Sequence, residues 1–182
     1  YSIRDFRWKA LDLLNYAANL KLDAIQFSSL NDYESLDPAH FQKVREDAER
    51  RGIQIDAGVG CICPTSSSWN PATGDAVQYV LKGLSVARAV GAKSMRCFLG
   101  SRADRRGKLP IEAHIEATVK VLRSVRSQAL DAGVKIAVEN HSGDMQAWET
   151  RALIEEAGRD FVGCCLDIGN PMWVVEDPMV SL

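Results

Sequence analysis

No apolar run in this sequence approaches 18 residues, which excludes an obvious membrane-spanning helix. No charge of one sign dominates. The 22 Lys and Arg face 24 Asp and Glu, the net charge is -2 and the pI is near 6.0. That balance gives no general attraction to nucleic acid or to an anionic membrane. No glycine-rich loop of the G-x-G-x-x-G or G-x-x-x-x-G-K type follows any strand-like segment, which weakens a nucleotide-binding reading. Tyr1-Ser2-Ile3-Arg4 leads straight into an amphipathic pattern, with no signal peptide visible. The five cysteines are an odd number, and four sit in or beside apolar segments, so a disulfide framework is not expected. Reduced thiols in a cytoplasmic protein are the simpler reading. Cys61 and Cys63 form a C-x-C without a second Cys pair or a nearby His in sequence, so strand-end thiols are expected there rather than a zinc site.

What is present suits one domain with a real core. The chain has 182 residues, 46% hydrophobic and 25% charged. Residues 5–20 carry a helical pattern, with Trp8, Leu11, Leu14 and Ala18 on one face. Five strand units follow: 23–28, 53–58, 93–99, 134–140 and 162–167. Between them lie helical segments from Asp37-Pro38 to Gly52, from Gly74 or Asp75 to Gly91, from Pro110 to Gly133, and from about Asp144 to Gly158. Asp37 reads as an N-cap with Pro at the first helical position, and the glycines read as stops. Long loops are expected at 59–75 and 100–108.

Strand-helix alternation of this kind means a parallel sheet with right-handed crossovers. An eight-stranded barrel and an open doubly wound sheet both fit. The chain starts with a helix and stops after a strand, whereas an eight-stranded barrel needs about 250 residues. The expectation is therefore a single incomplete barrel domain over 1–182, lacking the first strand and the last two strand-helix units.

Two consecutive strands end on a carboxylate. V-K-I-A-V-E-N runs to Glu139, and V-G-C-C-L-D runs to Asp167. A charge is costly to bury unless it is paired, protonated or bound to a metal. Gln26, Ser28, Asp56, Arg96, Glu139 and Asp167 are all placed at strand ends, where a parallel barrel builds its active-site rim. Glu139 and Asp167 can serve as oxygen ligands to a divalent cation, or pair with Arg96 or Lys93 in a structural salt bridge. Arg96 can hold a substrate hydroxyl or phosphate, or simply balance the carboxylates. His141 is a candidate ligand, proton carrier or substrate contact, with a backbone-bonded loop histidine as the plain alternative. Asn170, in D-I-G-N, is a substrate contact or a turn residue. The cluster of Arg102, Arg105, Arg106 and Lys108 reads as a solvated loop before it reads as a phosphate grip. Trp69 and Trp173 lie in loops and can wall a sugar pocket, while Trp8 is placed in the core.

A-V-E-N-H followed about 28 residues later by V-G-C-C-L-D-I-G-N-P resembles the sugar phosphate isomerase/epimerase family of the xylose-isomerase-like (β/α)8 TIM barrel superfamily. L-D-A-I-Q-F-S and R-G-I-Q-I-D-A-G look like that barrel's second and third strands. The resemblance covers essentially the whole chain. It implies a metal-binding isomerase or epimerase that abstracts a proton alpha to a carbonyl through a metal-stabilised enediolate. It implies a divalent metal, commonly Mn, Mg, Co or Zn. The metal is held by a Glu after the fifth strand, an Asp after the sixth, a His after the seventh and a Glu after the eighth. Glu139 and Asp167 match the first two, and Glu139 would also be one acid/base of the catalytic pair. The His and second Glu have no counterpart here; His40 and His114 are placed on helices. The 182 residues alone are therefore expected to be inactive or nearly so. A small-molecule sugar is the implied partner, in carbohydrate metabolism, and a homo-oligomer is left open. A sugar dehydratase on the same barrel, or a non-catalytic sugar-binding barrel, would share these features.

Overall fold

The structure, a computed structural model, describes residues 6–182. The reading of Tyr1–Arg4, and residue 5 of the first helical pattern, lie outside the described residues. Five strands form one sheet in the order β1-β2-β3-β4-β5, every neighbouring pair parallel. They are β1 (Ala24–Gln26), β2 (Gln54–Cys61), β3 (Ser94–Phe98), β4 (Lys135–Glu139) and β5 (Val162–Cys165). The helices are α1 (Ala10–Asn19), α2 (Pro38–Arg51), α3 (Ala76–Ala89), α4 (Ile111–Ser124), α5 (Arg126–Ala132) and α6 (Ala147–Ala157).

Strictly sequential strand order decides between the two architectures. Right-handed crossovers between neighbours leave every helix on the same face, whereas a doubly wound sheet reverses order and covers both faces. The helices accordingly pack on one another in a continuous layer, α1 on α2, α2 on α3, α3 on α4 and α4 on α6. The other face is the lumen of a partial barrel. The sheet curls far enough that the Gln26 amide on β1 reaches the Cys165 thiol on β5, at 4.0 Å.

Alternation along the strands sorts the side chains. Ile55, Ala57 and Val59 on β2, Met95 and Cys97 on β3, and Ile136 and Val138 on β4 are buried beneath the helices. The intervening positions face the lumen: Asp56, Gly58 and Gly60; Arg96 and Phe98; Ala137 and Glu139. Gly83 lets α3 lie close on this layer, since a Cβ there would stand 2.5 Å from Met95 Sδ and 2.6 Å from Val59.

Several expectations need correction. The segment after Pro110 is two helices, not one. At Val125 the backbone turns to φ -110°, ψ 7°, and its N–H bonds Leu122 O in a tighter turn. The break keeps both Val125 and Ala129 fully buried. Asp37 does not cap α2 with its side chain, because the carboxylate takes the Ser35 hydroxyl at 2.5 Å instead. Trp8 precedes α1, whose buried positions are Ala10, Leu14 and Ala17, and stacks on Phe6 with ring centroids 4.7 Å apart. The second strand runs on to Cys61, so Asp56 sits low on it. There it accepts the hydroxyl of Ser94, the first residue of β3, at 2.9 Å, and it is not a rim residue.

Candidate active site

At the carboxyl end of β4, Glu139 is 8% exposed and takes its charge partner from the adjacent strand. Arg96, 6% exposed, donates through Nε to Glu139 Oε2, and its Nη1 reaches Val59 O at 3.4 Å. The guanidinium also lies over the Phe98 ring, 4.8 Å from its centroid. Phe98 in turn stacks on His141, with centroids 3.9 Å apart. His141 Nδ1 lies 2.8 Å from Gly100 O. A carbonyl can only accept, so Nδ1 donates to it, while Nε2 lies 3.4 Å from Ser142 Oγ.

This row lines a lumen cavity of about 720 Å³. Arg96, Phe98 and His141 form one wall, and Gln26, Ser28 and Gly60 another. Trp8 completes it. Glu139 does not line the cavity itself, because Arg96 stands on it. Arg96 and His141 thus line one cavity, and Trp8 is a cavity residue rather than core.

Asp167 is exposed beyond β5 and is fixed through its backbone. Asn140 makes a two-point clamp, with Oδ1 accepting from Asp167 N at 2.8 Å and Nδ2 donating to Asp167 O at 3.0 Å. The Asp167 carboxylate takes Gly169 N at 2.8 Å, and Asn170 N bonds Asp167 O at 3.2 Å. D-I-G-N is therefore a turn in this structure, and Asn170 lies outside the cavity wall. The Cys165 thiol lies close enough to Glu139, Arg96 and Asp167 to feel all three charges. Burial is the main cause of its raised pKa, and the two carboxylates add to it.

Loops hold the rim from behind. Asp144 is completely buried and accepts three backbone N–H groups: Gly100 at 3.0 Å, His141 at 2.8 Å and Met145 at 2.7 Å. Burial pushes its carboxyl up to about 7, against the pull of those donors. Arg105 forks onto buried Glu149 with bonds of 2.6 and 3.1 Å, joining the loop after β3 to the start of α6. Arg102, Arg105, Arg106 and Lys108 are all exposed, as a solvated loop requires, and two of them also have partners. Arg105 is a structural clamp, and Arg102 lies over the Trp173 ring, 5.2 Å from its centroid. Asp104 is buried. Burial opposes its ionisation, but bonds from Ser66, Ser67 and Ser101 outweigh this and hold its carboxyl below the usual range.

Asn140 and Asp144 carry the rim and were not singled out in the sequence. Asn140 stands inside the E-N-H motif, a signal that was available. Cys63 does have a histidine neighbour in space, His114 Nδ1 at 3.8 Å, but that imidazole bonds Thr65 Oγ1 at 2.8 Å. All five thiols are free.

Glu139 and Asp167 are hard oxygen donors of the kind that suits Mg or Mn. Among the described residues, however, no three His, Cys, Asp or Glu side chains gather where one ion could bind them all. These residues alone therefore fall short of a complete metal site. Among the described residues no helix is long and apolar enough to cross a membrane.

Sequential parallel strands, a single helix layer and a polar lumen rim at the strand ends define part of a (β/α) barrel of the enzyme-bearing kind. The chain belongs to the xylose isomerase-like TIM barrel family, whose pattern matches residues 14–181. No curated protein matches it in sequence. Among solved structures it is similar to a xylose isomerase domain protein from Planctomyces limnophilus, with TM-score 0.71 and 18% identity over 93% of this chain and 63% of that one. It is similar to D-psicose 3-epimerase from Clostridium cellulolyticum H10, with TM-score 0.68 and 17% identity over 88% and 58%. It is also similar to a 3-keto-D-glucoside 4-epimerase from E. coli, with TM-score 0.68 and 13% identity over 90% and 65%. At these identities the likeness is one of fold. The chain spans roughly 60% of the length of these structures.

Proposed function

We propose that this chain forms the greater part of a sugar isomerase or epimerase barrel and carries one of its two proton-transferring carboxylates. The observation that carries the reading is the buried charge of Glu139 at the carboxyl end of β4, beside a polar and aromatic lumen cavity. Fold-level likeness to epimerases supports it by analogy.

In this reading Glu139 takes the proton alpha to the substrate carbonyl, and Arg96 must first swing off it. His141 meets a substrate hydroxyl through Nε2. Trp8 and Phe98 flank the sugar ring. Asn140 fixes the Asp167 turn relative to β4, and Asn170 reaches substrate only if that turn reorganises. Glu139 and Asp167 would hold a divalent cation, two of its four protein ligands. When bound, the cation supplies positive charge that polarises the carbonyl. No residue here matches the opposing base, so full turnover belongs to a protein of its relatives' length, and the 182 residues alone turn over slowly or not at all.

The test is proton exchange. A ketohexose in D2O should gain deuterium beside its carbonyl with the full-length protein and lose that gain in Glu139→Gln. Unchanged exchange in Glu139→Gln would remove Glu139 as the base. Expulsion of a hydroxyl from the sugar would mark a dehydratase instead. One observation favours a second reading. Glu139 is already neutralised by Arg96, as suits a barrel that binds a sugar without transforming it; that reading predicts binding with no exchange.

A further inference from the structure

The lumen cavity does not end at Gly60. A second cavity of about 630 Å³ adjoins it, and the two share Ser29, Asn31, Gly60 and Phe98 as lining. The second lobe lies between the loops that follow β1 and β2, and the first turns of α3 close it. Its further walls mix the polar Asn70, Gln78, Tyr79 and Lys82 with the apolar Leu30 and Leu36. The polar groups are hydroxyls and amides with one ammonium, and among the described residues no carboxylate lines either the lobe or the shared seam.

The chemistry of these groups suits a neutral polyol. Tyr79 uses its oxygen to accept from Gly60 N at 3.0 Å, so its own proton remains to donate. Asn70 spends Oδ1 on Ala72 N at 3.0 Å, which leaves its amide N–H groups to donate. Trp69 meets the Tyr79 ring edge-on at 6.0 Å and stiffens that wall. Cavities for small-molecule ligands run about 300–1,000 Å³. Each lobe is therefore large enough by itself, and a single hexose would leave one of them empty.

We infer that the substrate is a keto sugar joined to a second neutral sugar ring, a ketose disaccharide or keto-glycoside. The reacting ring sits beside Arg96 and His141, and the second ring lies against Tyr79, Gln78 and Lys82. The inference rests on the reading of the lumen cavity as a sugar site.

The experiment is calorimetric titration of the full-length protein with three probes: lactulose, D-fructose and D-fructose 6-phosphate. The comparison variant is Gln78→Ala/Lys82→Ala, which alters exposed groups of the second lobe only. Lactulose should bind at least tenfold more tightly than fructose, and the double variant should erase that advantage while leaving fructose affinity unchanged. Equal affinity for lactulose and fructose would overturn the two-ring substrate and leave the sugar site standing. So would a tenfold advantage that survives in the double variant. Preference for fructose 6-phosphate that depends on Lys82 would overturn it in favour of an anion lobe. Binding of none of the three would overturn the sugar site and this inference together.

Discussion

Arg96 and Glu139 neutralise one another across adjacent strands, with both side chains almost wholly withdrawn from water. Neither charge can be removed alone without leaving the other buried and uncompensated, which costs about 3–5 kcal/mol. Arg96→Leu should lose about that much, which lowers the melting temperature by roughly 10 °C in a chain of this size. Adding Glu139→Gln should recover most of the loss. Urea unfolding of the two single variants and the double variant gives the coupling. A double variant as unstable as the sum of the singles would show that the two groups do not depend on each other.

Asp144 makes stability fall as pH rises through neutrality. Its folded pKa is raised from 3.8 to about 7 by burial, so the folded chain keeps a proton that the unfolded chain releases. The stabilising contribution is complete below about pH 4 and is lost as pH rises through about 7. Between pH 5 and 7 the loss is on the order of 2–3 kcal/mol. Asp144→Asn cannot titrate and gives up one acceptor, since its amide must face an N–H. The gap in melting temperature between the wild type and Asp144→Asn should therefore be widest near pH 4 and narrow by pH 8. A constant gap would place the titration outside that window.

The two pH predictions run in opposite directions. Asp104 is held below its usual range by its serine hydrogen bonds, so its contribution is present above about pH 4 and disappears in more acid solution. Asp104→Ala should destabilise the chain by about 1–3 kcal/mol at neutral pH, by leaving buried donors without acceptors. It should then flatten the acid limb of the stability curve. A parallel offset at every pH would show that the carboxylate does not titrate with folding.

Much of the architecture is legible because the strands are short apolar runs ending in glycine or a charge, and their helices stop at Gly52, Gly133 and Gly158. Glu139 stands out for the same reason, as a charge where the apolar run should continue. Its partner is legible only as a choice between Arg96 and Lys93, and the register that sets Phe98 beside Glu139 decides for Arg96. Asp56 is misplaced for a related reason. Gly58 and Gly60 look like turn residues but are lumen positions of a strand that continues to Cys61. Asp144 looks like a helix start, and its true task depends on Gly100, 44 residues away.

Gly143 is where the rim loops meet, and it tolerates no side chain. Its φ is 75°, and a Cβ would stand 2.8 Å from Trp173 Cβ and 3.3 Å from Arg102 Cβ. Gly143→Ala should cost about 1–3 kcal/mol and part Arg102 from Trp173. Denaturant unfolding reads the first effect, and near-ultraviolet circular dichroism of the tryptophans reads the second. A loss in stability with an unchanged tryptophan signal would show that the strain is absorbed elsewhere.

Any cation that binds Glu139 must compete with the guanidinium already there. A ligand at 100 times its Kd adds about 2.7 kcal/mol when it binds only the folded state. In a chelator-stripped sample of the full-length protein, manganese should thus raise the melting temperature by several degrees, and Asp167→Asn should abolish the rise. Arg96→Gln should start from a lower melting temperature yet gain more from the metal, because the competing charge is gone. That opposite movement separates a metal site from nonspecific stabilisation, which would raise all three proteins alike. No rise in any of them would leave Glu139 and Asp167 as structural charges, and the sugar-binding reading without catalysis would then account for the rim better than the epimerase does.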